Sequence, residues 1–265
     1  MQPELHERNK SFAWQQKIPP FSFLSETQVQ KYDEQGFFLL KNAFSKEEID
    51  QVLNEIDPFE EKVTEDLRQY EDGKFLISRA DDITFTTHLV LYSNFLKSFA
   101  SHKVFKGLCQ DLIGGDVRLY WDQAVYKKAD TQEDFPWHQD NGYTFVKPQA
   151  YLTCWIPLTD TDESNGCPWV IPKLHKMGTL KHDVTELGYK IKLDDSDAIP
   201  VPAKAGDIVV FSSLTPHCTG PNKTDSTRKT YILQYAPNGA VRYPPFSDKE
   251  EANNPDRQFF INKIS

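Results

Sequence analysis

Paired cysteines and long apolar runs are both missing from this 265-residue chain. The four cysteines, Cys109, Cys154, Cys167 and Cys218, form no Cys-x-x-Cys pair, and their spacing fits no zinc knuckle. Reduced thiols in a cytosolic protein are the expectation. No run of roughly 18 apolar residues occurs, which excludes a transmembrane helix. The opening Met1-Gln2-Pro3-Glu4-Leu5-His6-Glu7-Arg8 lacks the apolar centre of a signal peptide, so a cytoplasmic location is expected. Basic residues are outnumbered, 30 Lys and Arg against 39 Asp and Glu, for a net charge of -9. Nucleic acid is an unsuitable partner on that balance, because phosphate contacts need clustered cations. Neither an internal repeat nor a low-complexity segment interrupts the chain.

The apolar share of 38% and charged share of 26% are those of a globular protein, and the length suits one domain over residues 1–265. Residues 1–20 read as an irregular lead-in. Ser25-Glu26-Thr27-Gln28 and Ser45-Lys46-Glu47-Glu48 are capping boxes, each opening a helix; Gly36 should stop the first. Phe37–Leu40 reads as a buried strand, and Ile49, Val52, Leu53 and Ile56 stand at helical spacing. Residues 57–75 show no element. A helical stretch is expected over about 86–112, ended by Gly114-Gly115. From residue 117 the texture turns β-rich, with runs at 117–121, 151–156, 169–171, 208–211 and 230–235 separated by turn residues. The chain thus reads as mainly β with flanking helices: a helical part over about 21–115 and a β core over about 116–240.

Pro136-Trp137-His138-Gln139-Asp140, answered downstream by His217 and Arg228, carries the chemistry. On a strand His138 and Asp140 share a face and Gln139 takes the other. With His217 delivered by the turn after the 208–211 strand, they make the two-imidazole, one-carboxylate set of a mononuclear iron(II) site with open positions. Arg228, eleven residues after His217, offers a planar fork for a carboxylate, that of 2-oxoglutarate, and Thr219 could add a hydroxyl to it. Cys218, as a strand neighbour of His217, should point away.

Further segments resemble the phytanoyl-CoA dioxygenase family of iron(II)/2-oxoglutarate-dependent oxygenases. These are Tyr32-Asp33-Glu34-Gln35-Gly36-Phe37, Asp116 through Gln123, Trp155-Ile156-Pro157-Leu158 through Glu163-Ser164-Asn165-Gly166-Cys167, Ile171 through Lys176, and Ala205-Gly206-Asp207. The resemblance covers about residues 25–240. It departs at Lys173-Leu174, where the family usually has Gly-Ser.

The resemblance implies a double-stranded β-helix, a cupin-like jelly roll. It implies iron(II), 2-oxoglutarate and O2 as cofactor and co-substrates. His138, Asp140 and His217 would be the metal ligands and catalytic centre, with Arg228, Gln123, Thr219 and Trp155 around the co-substrate and Tyr143 at the substrate mouth. His175 looks structural in that pattern. The implied reaction couples decarboxylation of 2-oxoglutarate to hydroxylation, or a related C–H oxidation, of a small organic molecule. A secondary-metabolite intermediate and a lipid or acyl compound are both open. Residues 57–85, 141–149 and 174–198 would set specificity, and Lys173, Lys176, Lys181 and Lys190 are candidate phosphate contacts. A non-catalytic jelly-roll sensor or binding protein, and a cupin-type metal enzyme without 2-oxoglutarate, stay as alternatives.

Overall fold

The computed structural model describes residues 3–244 and 248–263. Four helices lie in the N-terminal half: α1 (Glu26–Gln35), α2 (Lys46–Leu67), α3 (Asn94–Phe99) and α4 (Lys103–Leu112). Ser25 and Ser45 complete the capping boxes of α1 and α2. Each cap is worth about 1 kcal/mol. Gly36 ends α1 at φ +89; a Cβ there would stand 2.6 Å from both His175 Nδ1 and Thr215 Oγ1. The turn before His217 is therefore fitted against a position that only glycine can fill.

Two expectations need correcting. Residues 57–75 are not featureless, because α2 runs on to Leu67 with Pro58 inside it. Its buried stripe continues from Ile49, Val52 and Ile56 through Glu60, Thr64 and Leu67, so polar residues occupy core positions. Glu60 Oε1 there accepts from Thr64 Oγ1 and Thr84 Oγ1, both at 2.7 Å, and from Lys128 Nζ at 2.5 Å. Nor is 86–112 one helix. Ile83–Thr87 is a strand, Leu89–Leu91 a 3-10 turn, and α3 and α4 are separate, capped by Ser93 and His102. The β-branched and aromatic run Ile83-Thr84-Phe85-Thr86-Thr87 favours the strand.

The larger sheet has nine antiparallel strands, in the order Phe37–Leu40, Ile208–Ser212, Leu152–Pro157, Arg228–Pro237, Val117–Lys127, Ile83–Thr87, Ser78–Arg79 and Lys74–Phe75; Phe260–Asn262 also pairs with Val117–Lys127. The sheet thus recruits strands from both sides of the expected 116–240 core. A second sheet orders Ile199–Pro200, Pro168–Val170, His217–Thr219 and Phe135–His138.

The central strands of the large sheet are buried on both faces. Cys154, Ile156, Val210, Tyr231, Leu233 and Tyr235 pack with Val52, Ile56, Leu96, Phe105 and Leu108 of the helices. Trp155, Val209 and Phe211, on the other face, pack with Val170, Val201 and Ala203 beside the second sheet. Two sheets face to face with helices outside is the expected jelly-roll arrangement. Burial of apolar side chains on both faces, at roughly 25 cal/mol per Å², makes this sheet a stiff base for groups on its inner face.

Candidate metal centre

Strand register sets the site out in rows, since directly opposed residues of antiparallel strands share a face. Ile232 stands opposite Gln123 and Trp155, and Trp155 opposite Val209. One row away are Gln234, Trp121, Thr153 and Phe211. In the other direction come Thr230 with Val125, then Arg228 with Lys127. The second sheet closes over these rows with His217 opposite both His138 and Val170.

His138 ends its strand; Gln139 is extended, and Asp140 opens a one-turn helix rather than continuing the strand. Asp140 still comes to the histidines, because the extended Gln139 carries the chain one more step before the turn. Asp140 Oδ1 lies 3.9 Å from His138 Nε2 and 3.8 Å from His217 Nε2. The ligand atoms of these three residues lie within 4.8 Å of one another, the one such His, Cys, Asp or Glu group among the described residues. Nδ1 of His138 faces Pro136 O at 2.7 Å, and Nδ1 of His217 faces Thr215 O at 3.0 Å. Each Nδ1–H donates to its carbonyl, which leaves the Nε2 lone pair toward Asp140. Burial, then the neighbouring His217, pushes the His138 pKa well below its usual value, toward the neutral form that binds metals. Thr153 Oγ1 donates to Asp140 Oδ2 at 2.5 Å, and Gln234 Nε2 to Thr153 Oγ1 at 3.3 Å. This donor set fits a single divalent iron with open positions.

Arg228 is 1% exposed, yet its Nε and Nη2 have no hydrogen-bond partner among the described residues. Nη1 donates to Thr230 Oγ1 at 3.1 Å, and the guanidinium lies 5.6 Å from the Trp155 ring centroid. Burial lowers its pKa to about 10, so it stays charged at neutral pH. Its opposite residue Lys127 donates Nζ to Gly220 O at 2.6 Å and Glu133 O at 3.1 Å. Burial and then Arg228 lower the Lys127 pKa to about 7. A buried guanidinium with unused donors and, among the described residues, no carboxylate at ion-pair distance calls for an anion, and a dicarboxylate co-substrate fits.

Trp155 and Gln123 line the same row of the inner face. Gln123 Oε1 accepts from Trp121 Nε1 at 3.1 Å. Thr219 is buried two residues past His217, and the Tyr143 ring packs edge-on against His138 at 5.3 Å. Gln139 points away from the triad, bonding Gly178 O, Leu214 O and Leu180 N. His175 is buried with Nε2 3.2 Å from Asp33 O, outside the His138, Asp140 and His217 group. All four cysteines are free and buried. Lys173, Lys176, Lys181 and Lys190 are exposed, and Lys181 pairs with Glu4 at 2.7 Å. Three supporting residues escaped the sequence reading. Thr153 and Gln234 sit in strands whose pattern shows only β character, and His182 Nε2 accepts from Gln139 N at 2.9 Å. No motif marks them; strand register brings Thr153 and Gln234 toward Asp140, and a loop brings His182 to Gln139.

A model of the phytanoyl-CoA dioxygenase family matches residues 32–230. Methylphosphonate hydroxylase from Gimesia maris is 29% identical over 147 residues, 54% of this chain and 56% of that protein. A 2-aminoethylphosphonate dioxygenase from an uncultured bacterium is 22% identical over 89% of this chain and 92% of its own. Among solved structures, the non-haem α-ketoglutarate-dependent carbocyclase SnoK from nogalamycin biosynthesis shares the fold, with a TM-score of 0.68 at 23% identity over 85% of this chain and 88% of that one. The jelly roll, the His-Asp-His group and the family match converge: this chain belongs to the phytanoyl-CoA dioxygenase family and is an iron(II)- and 2-oxoglutarate-dependent dioxygenase.

Proposed function

We propose that His138, Asp140 and His217 hold the iron(II), that Arg228 holds the distal carboxylate of 2-oxoglutarate, and that the chain hydroxylates a C–H bond of a small organic molecule. The observation that carries this reading is the pair of buried, unpartnered Arg228 nitrogens on the inner face that also bears the Asp140-holding Thr153. Iron(II) with 2-oxoglutarate bound supplies O2-dependent oxidation, converting 2-oxoglutarate to succinate and CO2. The chain's own residues do the rest. His138 and His217 present fixed Nε2 lone pairs, and Thr153 holds one Asp140 oxygen so that the other faces the histidines. With iron bound, the Asp140 carboxylate would take the position that a halide ligand needs, which favours hydroxylation or a related oxidation over halogenation. Gln123, Trp155 and Thr219 would flank the co-substrate, and Tyr143, edge-on to His138, would border the substrate. The relatives' phosphonate substrates make small oxygen-rich molecules the first class to try.

The test incubates the full chain with iron(II), ascorbate and 2-oxoglutarate, alone and with a panel that includes methylphosphonate and 2-aminoethylphosphonate. Succinate release that rises with a panel compound, and disappears in His217→Ala, is the expected result. Binding of iron(II) and 2-oxoglutarate without succinate under any condition would instead favour a sensor or binding protein.

A further inference from the structure

A second basic cluster stands apart from Arg228. Arg242 lies on the strand Val241–Tyr243, and Arg257 in the turn before Phe260. The Arg257 guanidinium is 5.9 Å from the Trp121 ring centroid, and the His88 ring meets the same indole at 4.3 Å. Trp121 stands opposite Gln234, whose other neighbour, Thr153, holds Asp140. Tyr120 is the extra residue where the strand register shifts beside Trp121, and its ring packs on Tyr151 at 5.0 Å. Trp121 thus connects the cluster to the row whose Thr153 supports Asp140.

Its donors are incompletely used. Arg257 Nη1, Arg242 Nε and His88 Nδ1 are buried without a hydrogen-bond partner among the described residues. Arg242 Nε is 2.9 Å from Glu250 Oε1, a close ion pair whose angle is not that of a hydrogen bond. Among the described residues, Arg257 has no carboxylate at ion-pair distance. Burial, then Arg257 and Arg242, lower the His88 pKa to about 4, so at neutral pH it can donate a hydrogen bond but adds no charge. Two half-buried guanidinium groups, with Glu250 ion-paired to Arg242 alone and Asp122 acting on Arg257 only at longer range, keep unused donors for a further oxyanion, which their planar forks would bind in bidentate fashion.

We propose that Arg242 and Arg257 form the subsite for an anionic group, a carboxylate or a phosphonate, on the primary substrate. The Trp121 ring is its apolar wall, and the substrate carbon extends from it toward the triad. This rests on the reading that the triad holds the iron and Arg228 the co-substrate.

The test separates the two claims. The full chain is loaded with zinc and saturating 2-oxoglutarate, so that Arg228 is occupied and no turnover occurs. Uptake of both is checked by equilibrium dialysis. Butanoate, propylphosphonate and the neutral butanamide are then titrated by NMR. At least one anion is expected to bind tenfold or more tightly than butanamide. Arg257→Gln and Arg242→Gln should each weaken that anion tenfold or more, leaving butanamide and 2-oxoglutarate within twofold. Preference for propylphosphonate assigns a tetrahedral group, and preference for butanoate a planar one. Equal binding of anions and amide, or anion binding indifferent to both substitutions, overturns the subsite. If a glutamine variant melts early, the lysine variant replaces it: it keeps the charge and loses the fork. A threefold or greater loss then supports the subsite, and no loss overturns it. A chain that takes up neither zinc nor 2-oxoglutarate contradicts the triad reading alone. The same titration in a metal-free Arg228→Gln background still decides the subsite.

Discussion

His138 and His217 keep Nε2 available because Nδ1 is committed to a backbone carbonyl, Pro136 O for one and Thr215 O for the other. The second carbonyl belongs to a residue whose hydroxyl donates to Gly36 O at 2.7 Å, so a His217 ring angle depends on a glycine at the end of α1. Asp140 is held through Thr153, which is 1% exposed. Thr153→Val keeps the shape and removes the hydroxyl, leaving Asp140 Oδ2 without that donor. Loss of such a supporting bond typically costs about 10- to 100-fold in metal affinity. An anaerobic iron(II) titration should show a loss of that size with the fold unchanged by circular dichroism. An unchanged affinity would remove Thr153 from the support of Asp140.

At the level of elements, α2 joins the helical layer to the large sheet through Glu60. Burial alone would raise its pKa; hydrogen bonds from Lys128, Thr84 and Thr64 outweigh that and bring it below 4.5. A carboxylate with a depressed folded-state pKa stabilises the fold fully above its unfolded value and loses that contribution as pH falls through the lowered one. Glu60→Gln should therefore reduce urea stability at pH 7 by about 1.5–3 kcal/mol, and the gap to the wild type should narrow below pH 4.5. A gap independent of pH would assign the loss to packing. The same helix shows where the sequence is mute. Capping serines, Gly36 and the apolar spacing of Ile49, Val52 and Ile56 mark the start of α2, but Pro58 and the buried polar Glu60 and Thr64 hide its second half. The strand Ile83–Thr87 was obscured in the same way by the apolar residues of α3 and α4 that follow it. In contrast, His138, Asp140, His217 and Arg228 are legible because their chemistry needs those residue types, as a His-x-Asp pair and a distant His followed by an Arg. Thr153, Gln234, Arg242 and Arg257 reach the site only through pairing between distant strands or a late turn, and no local pattern encodes that.

Over the whole molecule, the helices and the second sheet bury opposite faces of the large sheet, whose inner face looks toward the second sheet. The rows of that face run from Lys127 and Arg228 through Trp155 and Gln123 to Thr153, Trp121 and the triad. On the proposed reading, that order sets Arg228 at one end and the triad at the other, which is what chelation by a dicarboxylate anchored at its far end requires. The most direct test is an anaerobic titration with iron(II) and 2-oxoglutarate, read by the metal-to-ligand absorption band and by iron content, on the wild type, His138→Ala, Asp140→Ala, His217→Ala and Arg228→Ala. The account predicts one iron per wild-type chain and loss of iron binding in each of the three ligand variants. Arg228→Ala should keep its iron while binding 2-oxoglutarate roughly thirtyfold or more weakly, the lower bound for removing one partner of a buried charged pair. Full iron binding in any ligand variant, or unchanged 2-oxoglutarate affinity in Arg228→Ala, would contradict it.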